Sequence, residues 1–263
     1  MKLSSLNFNN AELTDRIFQL EGKSESEKQV YSDSINLTFL KFVRVYSIYK
    51  TWNNKLEQHQ FCCNKIANIL STLYSLGRTL CFLCVSSVKE IELYWGIEST
   101  QQEMEKIWEA NFSGSSFSRV NTTVIQQRIG YFGQIKKLHG DPHIPEKSEF
   151  LTRKIDVLFS GLLEEEWAYL VMANPFKRGD IQLHLPKLYR EMENIEKRYP
   201  HENKSQGSKL AAYYLNLLEI TADKLQKGIY GGLWSTATYF LASSTNIANQ
   251  GVSLLYSILT GKK

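Results

Sequence analysis

An α+β fold, with a mixed β-sheet flanked by helices and preceded by a helical N-terminal segment, is the class that this sequence predicts. Three observations point there. Beyond residue 58, segments with the helical apolar period alternate with short apolar runs, which favours a sheet covered by helices over a helical bundle. Two of those runs, 78–85 and 90–97, are joined only by Ser-Ser-Val-Lys and have the length and connector of a β-hairpin. The run Trp167-Ala-Tyr-Leu-Val-Met-Ala173 is continuously apolar, as in a strand buried on both faces.

The elements follow in order. Residues 10–21 read as a short amphipathic helix with Leu13, Ile17 and Leu20 on one face, Asn10 as its cap and Gly22 at its end. From 26 to about 52 the reading is helix with a break near Asn36, with strand the alternative after Phe39, where β-branched and aromatic residues crowd. Residues 58–76 form a clearer helix, through Phe61, Ile66, Ile69, Leu70 and Leu73, stopped by Gly77. After the hairpin come a helix over 100–111 with Met104, Ile107 and Trp108 on one face, and short strands at 117–120 and 129–138. Gly130 and Gly133 interrupt the second of these. A helix over 148–163 carries Leu151, Ile155, Leu158, Phe159 and Leu162 on one face and leads into the strand at 167–173. Polar helix 180–199, loop 200–207, helix 208–227, a glycine break at 228–232, strand 233–242 and helix 246–259 complete the chain. The expected organisation is a helical segment over 1–76, a sheet core over 77–175, a helical segment over 176–228, and a return strand and C-terminal helix of the same domain over 229–263.

With 263 residues, 43% apolar and 22% charged, the chain has the composition of a globular domain able to bury its own core. Its 31 basic and 27 acidic residues give a formal charge of +4, dispersed along the chain rather than gathered into a patch that would track a phosphate backbone. Polar residues interrupt the N-terminus too often for a signal peptide, and no apolar run approaches the length of a membrane span, so the expected location is cytoplasmic.

No catalytic, cofactor-binding or metal site is predicted. The only Gly-Lys pair near a helix, Gly261-Lys262, lacks both the upstream glycine and the following Ser or Thr of a phosphate-binding loop. Cys81 and Cys84 have zinc-like spacing but sit in the apolar run TLCFLCV, where residues three apart on a strand point to opposite faces. Cys62 and Cys63 complete the cysteines, and all four are expected to be reduced thiols. His139, Asp141 and His143 share the loop LHGDPHIP and offer imidazole and carboxylate to a divalent metal, yet no further ligand stands out, and Gly140 and Pro142 account for the segment as a turn. Glu164, Glu165 and Glu166 read as a solvated acidic turn. Trp95, Trp108, Trp167 and Trp234 lie in apolar runs and read as core rather than as platforms for bases.

Several segments taken together carry a resemblance. The strand IELYWGI (Ile91–Ile97), the helix ending Asn111-Phe-Ser-Gly114 with its following strand, the HGDPHIP loop (139–145), KIDVLFSGL (154–162), WAYLVMANP (Trp167–Pro175) and the tail GGLWSTATYFLAS (231–243) with its helix resemble the region preceding the motor core in HerA-FtsK superfamily ATPases, relatives of conjugative type IV secretion ATPases. The resemblance implies a non-catalytic N-terminal assembly domain of a translocation ATPase, with protein partners or self-association, and nucleic acid reached through the parent motor. No Walker segment occurs in these residues, so no ATP-binding residue is carried over. The alternatives are a freestanding enzyme using the loop of His139, Asp141 and His143, or a module that binds single-stranded nucleic acid.

Overall fold

The computed structural model describes residues 35–48, 55–87, 90–138, 158, 160–199 and 206–260. Seven strands form one sheet: β1 (Lys41–Ser47), β2 (Leu80–Ser86), β3 (Ile91–Ile97), β4 (Ser116–Val120), β5 (Gln134–Leu138), β6 (Trp167–Pro175) and β7 (Trp234–Ala242). Their order across the sheet is β4-β1-β3-β2-β6-β7-β5. The α+β class is as expected, but the sheet is antiparallel at every pairing rather than mixed. The described helices are α1 (Lys55–Ser75), α2 (Gln101–Asn111), α3 (Thr122–Tyr131), α4 (Arg178–Arg198), α5 (Gln206–Gly231) and α6 (Thr245–Thr260). Leu158, Ser160 and Gly161 also have helical backbone.

The registers divide the sheet's side chains between two faces. Phe42, Arg44, Cys81, Leu83, Val85, Glu92, Tyr94, Ala168, Leu170 and Leu241 share the first face. Over it lie the 35–40 segment, through Ile35, Leu37 and Leu40, and α3, through Ile125 and Ile129. The second face is covered in two halves. Ile69 and Leu73 of α1 and Met104 and Trp108 of α2 pack on Val43, Leu80 and Ile97. Leu158, Leu162 and, from α6, Ala248 and Leu255 pack on Cys84, Trp167 and Phe240.

Local chemistry explains most boundaries. Thr100 caps α2 by accepting from the Glu103 amide at 3.2 Å, and Asn121 caps α3 by accepting from the Thr123 amide at 2.9 Å. Gly77, just beyond α1, adopts φ +64°, the left-handed conformation that ends helices and that glycine takes without a Cβ clash. The hairpin of β2 and β3 pairs from Leu80↔Ile97 to Ser86↔Ile91. Gly96 lies opposite Phe42, whose ring covers it so closely that a Cβ there would stand 2.5 Å from Cε1.

Three sequence expectations change. Within the segment read as helical over 1–76, the alternative kept after Phe39 is the one that forms: residues 41–47 are a sheet strand, because β3 and β4 supply partners on both sides and Val43 and Val45 bury one face on α1 and α2. The strand expected at 129–138 is the end of α3 followed by β5. The Asn121 cap and the Ile125–Ile129 spacing outweigh the helix-opposing Thr122, Thr123, Val124 and Gly130. Helix α5 runs on through Gly228 to Gly231, and its turn falls at Gly232, with φ +86°. The strand at 167–173 lies inside the sheet, between β2 and β7, as its apolar run implies. The N-terminal helix expected at 10–21 lies outside the described residues.

Two compact units emerge. The described part of one is the sheet with α1, α2, α3 and α6, and the described part of the other is the helical hairpin of α4 and α5 within Phe176–Leu233. In the hairpin, Ile195 of α4 packs with Ala211, Tyr214, Leu215 and Leu218 of α5. The Tyr214 hydroxyl donates to Glu191 at 2.6 Å.

Candidate functional site

Two polar features interrupt the apolar first face and its rim. The first is built on β3, where alternation puts Glu92 and Tyr94 beside Leu83 and Val85 of β2. The Glu92 side chain is only 3% exposed, a setting in which a carboxylate demands charged partners. Arg44 of β1 supplies one, with Nη1 2.5 Å from Oε1, and Arg128, in the last turn of α3, supplies the other at Oε2. Arg128 also donates to the Tyr94 hydroxyl at 2.7 Å, and Arg44 donates to Glu90 at 3.1 Å. The Arg44 guanidinium stands 4.8 Å from the Tyr46 ring centroid, within cation-π range. Burial pushes the Tyr94 phenol up to about 12, with Glu92 adding to the shift and the two guanidiniums opposing it. Two arginines on one carboxylate leave no oxygen turned to an open cavity, so the cluster acts as a structural lock between β1, β3 and α3.

The second feature is a cavity of about 320 Å³ at the rim where β1 begins and α2 and α3 start, lined by Thr38, Lys41, Gln101, Asn121, Thr122 and Thr123. Its walls are fixed by side-chain bonds to the backbone. Gln126 accepts from the Leu37 amide at 3.0 Å and donates to the Ile35 carbonyl at 2.8 Å. Thr122 donates to the Leu40 carbonyl at 2.7 Å, and Gln101 donates to the Phe42 carbonyl at 3.4 Å. With Val120 as the apolar member, the residues lining the cavity present hydroxyls, carboxamides and one ammonium. They include no carboxylate, thiol or imidazole, so the chemistry on offer is hydrogen bonding and charge attraction.

The structure separates the residues that the sequence singled out. Cys81 packs in the cluster on the first face and Cys84 in a cluster on the second, so the two thiols cannot ligate one ion. Burial pushes both thiols up, Cys84 to about 12 and Cys81 further. Cys63 is exposed and Cys62 partly so. Glu164 and Glu165 are exposed in a turn where Glu164 has φ +67°, and Glu166 accepts from the Tyr131 hydroxyl at 3.1 Å. Trp108 joins an aromatic cluster, with its ring centroid 5.9 Å from Trp95 and 4.7 Å from Phe112. Trp167 stacks on Phe240 at 5.7 Å, and Trp234 meets Tyr74 edge to face at 5.8 Å. His139, Asp141 and His143 lie outside the described residues. Among the described residues no group of three or more His, Cys, Asp or Glu is placed to hold a metal ion, and no helix is long and apolar enough to cross a membrane.

Sequence reasoning missed Arg44, Glu92 and Arg128. The available signal was charge inside apolar strands, Arg44 in KFVRVYS and Glu92 in IELYWGI, since charges at sheet positions that face a core are paired. No protein-family model matches this chain, and no curated protein is similar enough to count as a relative.

Proposed function

We propose that this chain is a non-catalytic assembly domain of a HerA-FtsK-type translocation ATPase, standing N-terminal to the motor core and binding protein partners or further copies of itself. The observation that carries the reading is the ordered resemblance of Ile91–Ile97, Trp167–Pro175 and the GGLWSTATYFLAS tail to the pre-motor region. These segments are β3, β6 and β7 of one sheet, while the HGDPHIP loop and most of KIDVLFSGL lie outside the described residues. The cytoplasm is the compartment that goes with this role.

The test has two arms. Calorimetry on the purified chain is expected to give no saturable heat with millimolar Mg-ATP, and saturable binding would sink the non-catalytic assignment. Reading the gene downstream of Lys263 is expected to reveal an in-frame Gly-x4-Gly-Lys-Ser/Thr segment following a strand. A reading frame that ends without one removes the motor from the proposal.

A further inference from the structure

We infer that α4 and α5 are an inserted module that folds by itself, grafted into the bend of what is otherwise a β6–β7 hairpin. Strands β6 and β7 are antiparallel neighbours paired rung by rung from Trp167↔Ala242 to Pro175↔Trp234. One further rung follows, where the Phe176 amide donates to the Leu233 carbonyl at 2.7 Å. The chain therefore leaves the sheet and re-enters it across a single hydrogen-bonded pair, a geometry that a two-residue turn closes without help. Residues 177–232 are not needed to join these strands.

The hairpin buries an apolar seam of its own between its two helices, while Leu183, Tyr189, Tyr213 and Ile220 stay exposed. Ile195, Ala211, Tyr214, Leu215 and Leu218 make one cluster. Ile181, Leu185 and Ala222 make the other, with Phe176 and Leu233 at its base. Among the described residues, every member of both lies within Phe176–Leu233. Helices of 21 and 26 residues exceed the length at which isolated helices are marginal, and packing against each other supplies the rest. Pro186 inside α4 removes one ladder bond of that helix.

Native-state hydrogen exchange on the full chain tests the inference with one variant in each unit. Leu218→Ala is expected to lower the protection of α5 amides by about a hundredfold or abolish it, while β2 and β3 amides stay within about threefold of the parent. Leu83→Ala is expected to do the reverse. Parallel loss of protection in both units, in either variant, overturns the inference. A deletion variant, in which Asn-Gly replaces residues 177–232, gives a second test. It is expected to unfold cooperatively with the β2, β3 and β6 amides still protected, and a chain without a cooperative transition refutes the insertion.

Discussion

Replacing Glu92 by Gln keeps the shape of the side chain and removes the one charge that faces both Arg44 and Arg128. In the parent, Arg44 and Arg128 are offset by Glu92 and Glu90, and Glu90 is itself 56% exposed. After the change two guanidiniums converge on a neutral amide that can accept through one oxygen only. Removing one partner of a fully buried ion pair costs about 3–5 kcal/mol. Here the arginine side chains keep 23% and 34% of their exposure, so water recovers part of that and about 2–3 kcal/mol is expected. The assay is urea unfolding of the parent, Glu92→Gln, Arg128→Gln and the double variant, with the midpoints compared at a common slope. Because Arg128→Gln relieves the cluster of a charge that Glu92→Gln leaves uncompensated, the double variant should be more stable than the sum of the single losses by at least about 1 kcal/mol. A coupling below about 0.5 kcal/mol, or a Glu92→Gln loss of that size, would show that the cluster is not a lock and that solvent satisfies the arginines unaided.

Packing and burial give three further outcomes. Gly251→Ala in α6 drives a Cβ into the edge of the Phe240 ring, so α6 or that ring must shift, and a loss of about 1–3 kcal/mol in thermal or urea unfolding is expected, whereas a neutral result would refute the close approach. Cys81, Cys84, Tyr94 and Tyr169 all have folded pKa values raised by burial, so the folded chain keeps protons that the unfolded chain releases above pH 9 to 10. Stability from these groups is complete below that range and falls as pH rises toward 12. In thiol labelling of the native chain at pH 8, Cys63 should react and Cys81 and Cys84 should not, and mass mapping that finds Cys84 modified as fast as Cys63 contradicts the assigned burial.

By itself the sequence determined the elements whose signals are local. The helices at Lys55–Ser75 and Gln101–Asn111 were legible because Gly77 and Thr100 mark a boundary and the apolar residues keep one helical face. The β2–β3 hairpin and the interior strand β6 were legible because a short polar connector and an unbroken apolar run each allow few other arrangements. Opposite faces for Cys81 and Cys84 followed from the period of two alone. Tertiary structure decided the rest. β1 is a strand because β3 and β4 flank it; the crowded β-branched and aromatic residues after Phe39 left strand only as the alternative, since strand pairing is a long-range choice. The antiparallel order β4-β1-β3-β2-β6-β7-β5 depends on crossovers that no local pattern encodes. The lock of Glu92 draws Arg44 from 48 residues earlier and Arg128 from 36 residues later. Its members carry no shared motif, because a buried carboxylate needs charge of the right sign at the right place and leaves open which segments provide it.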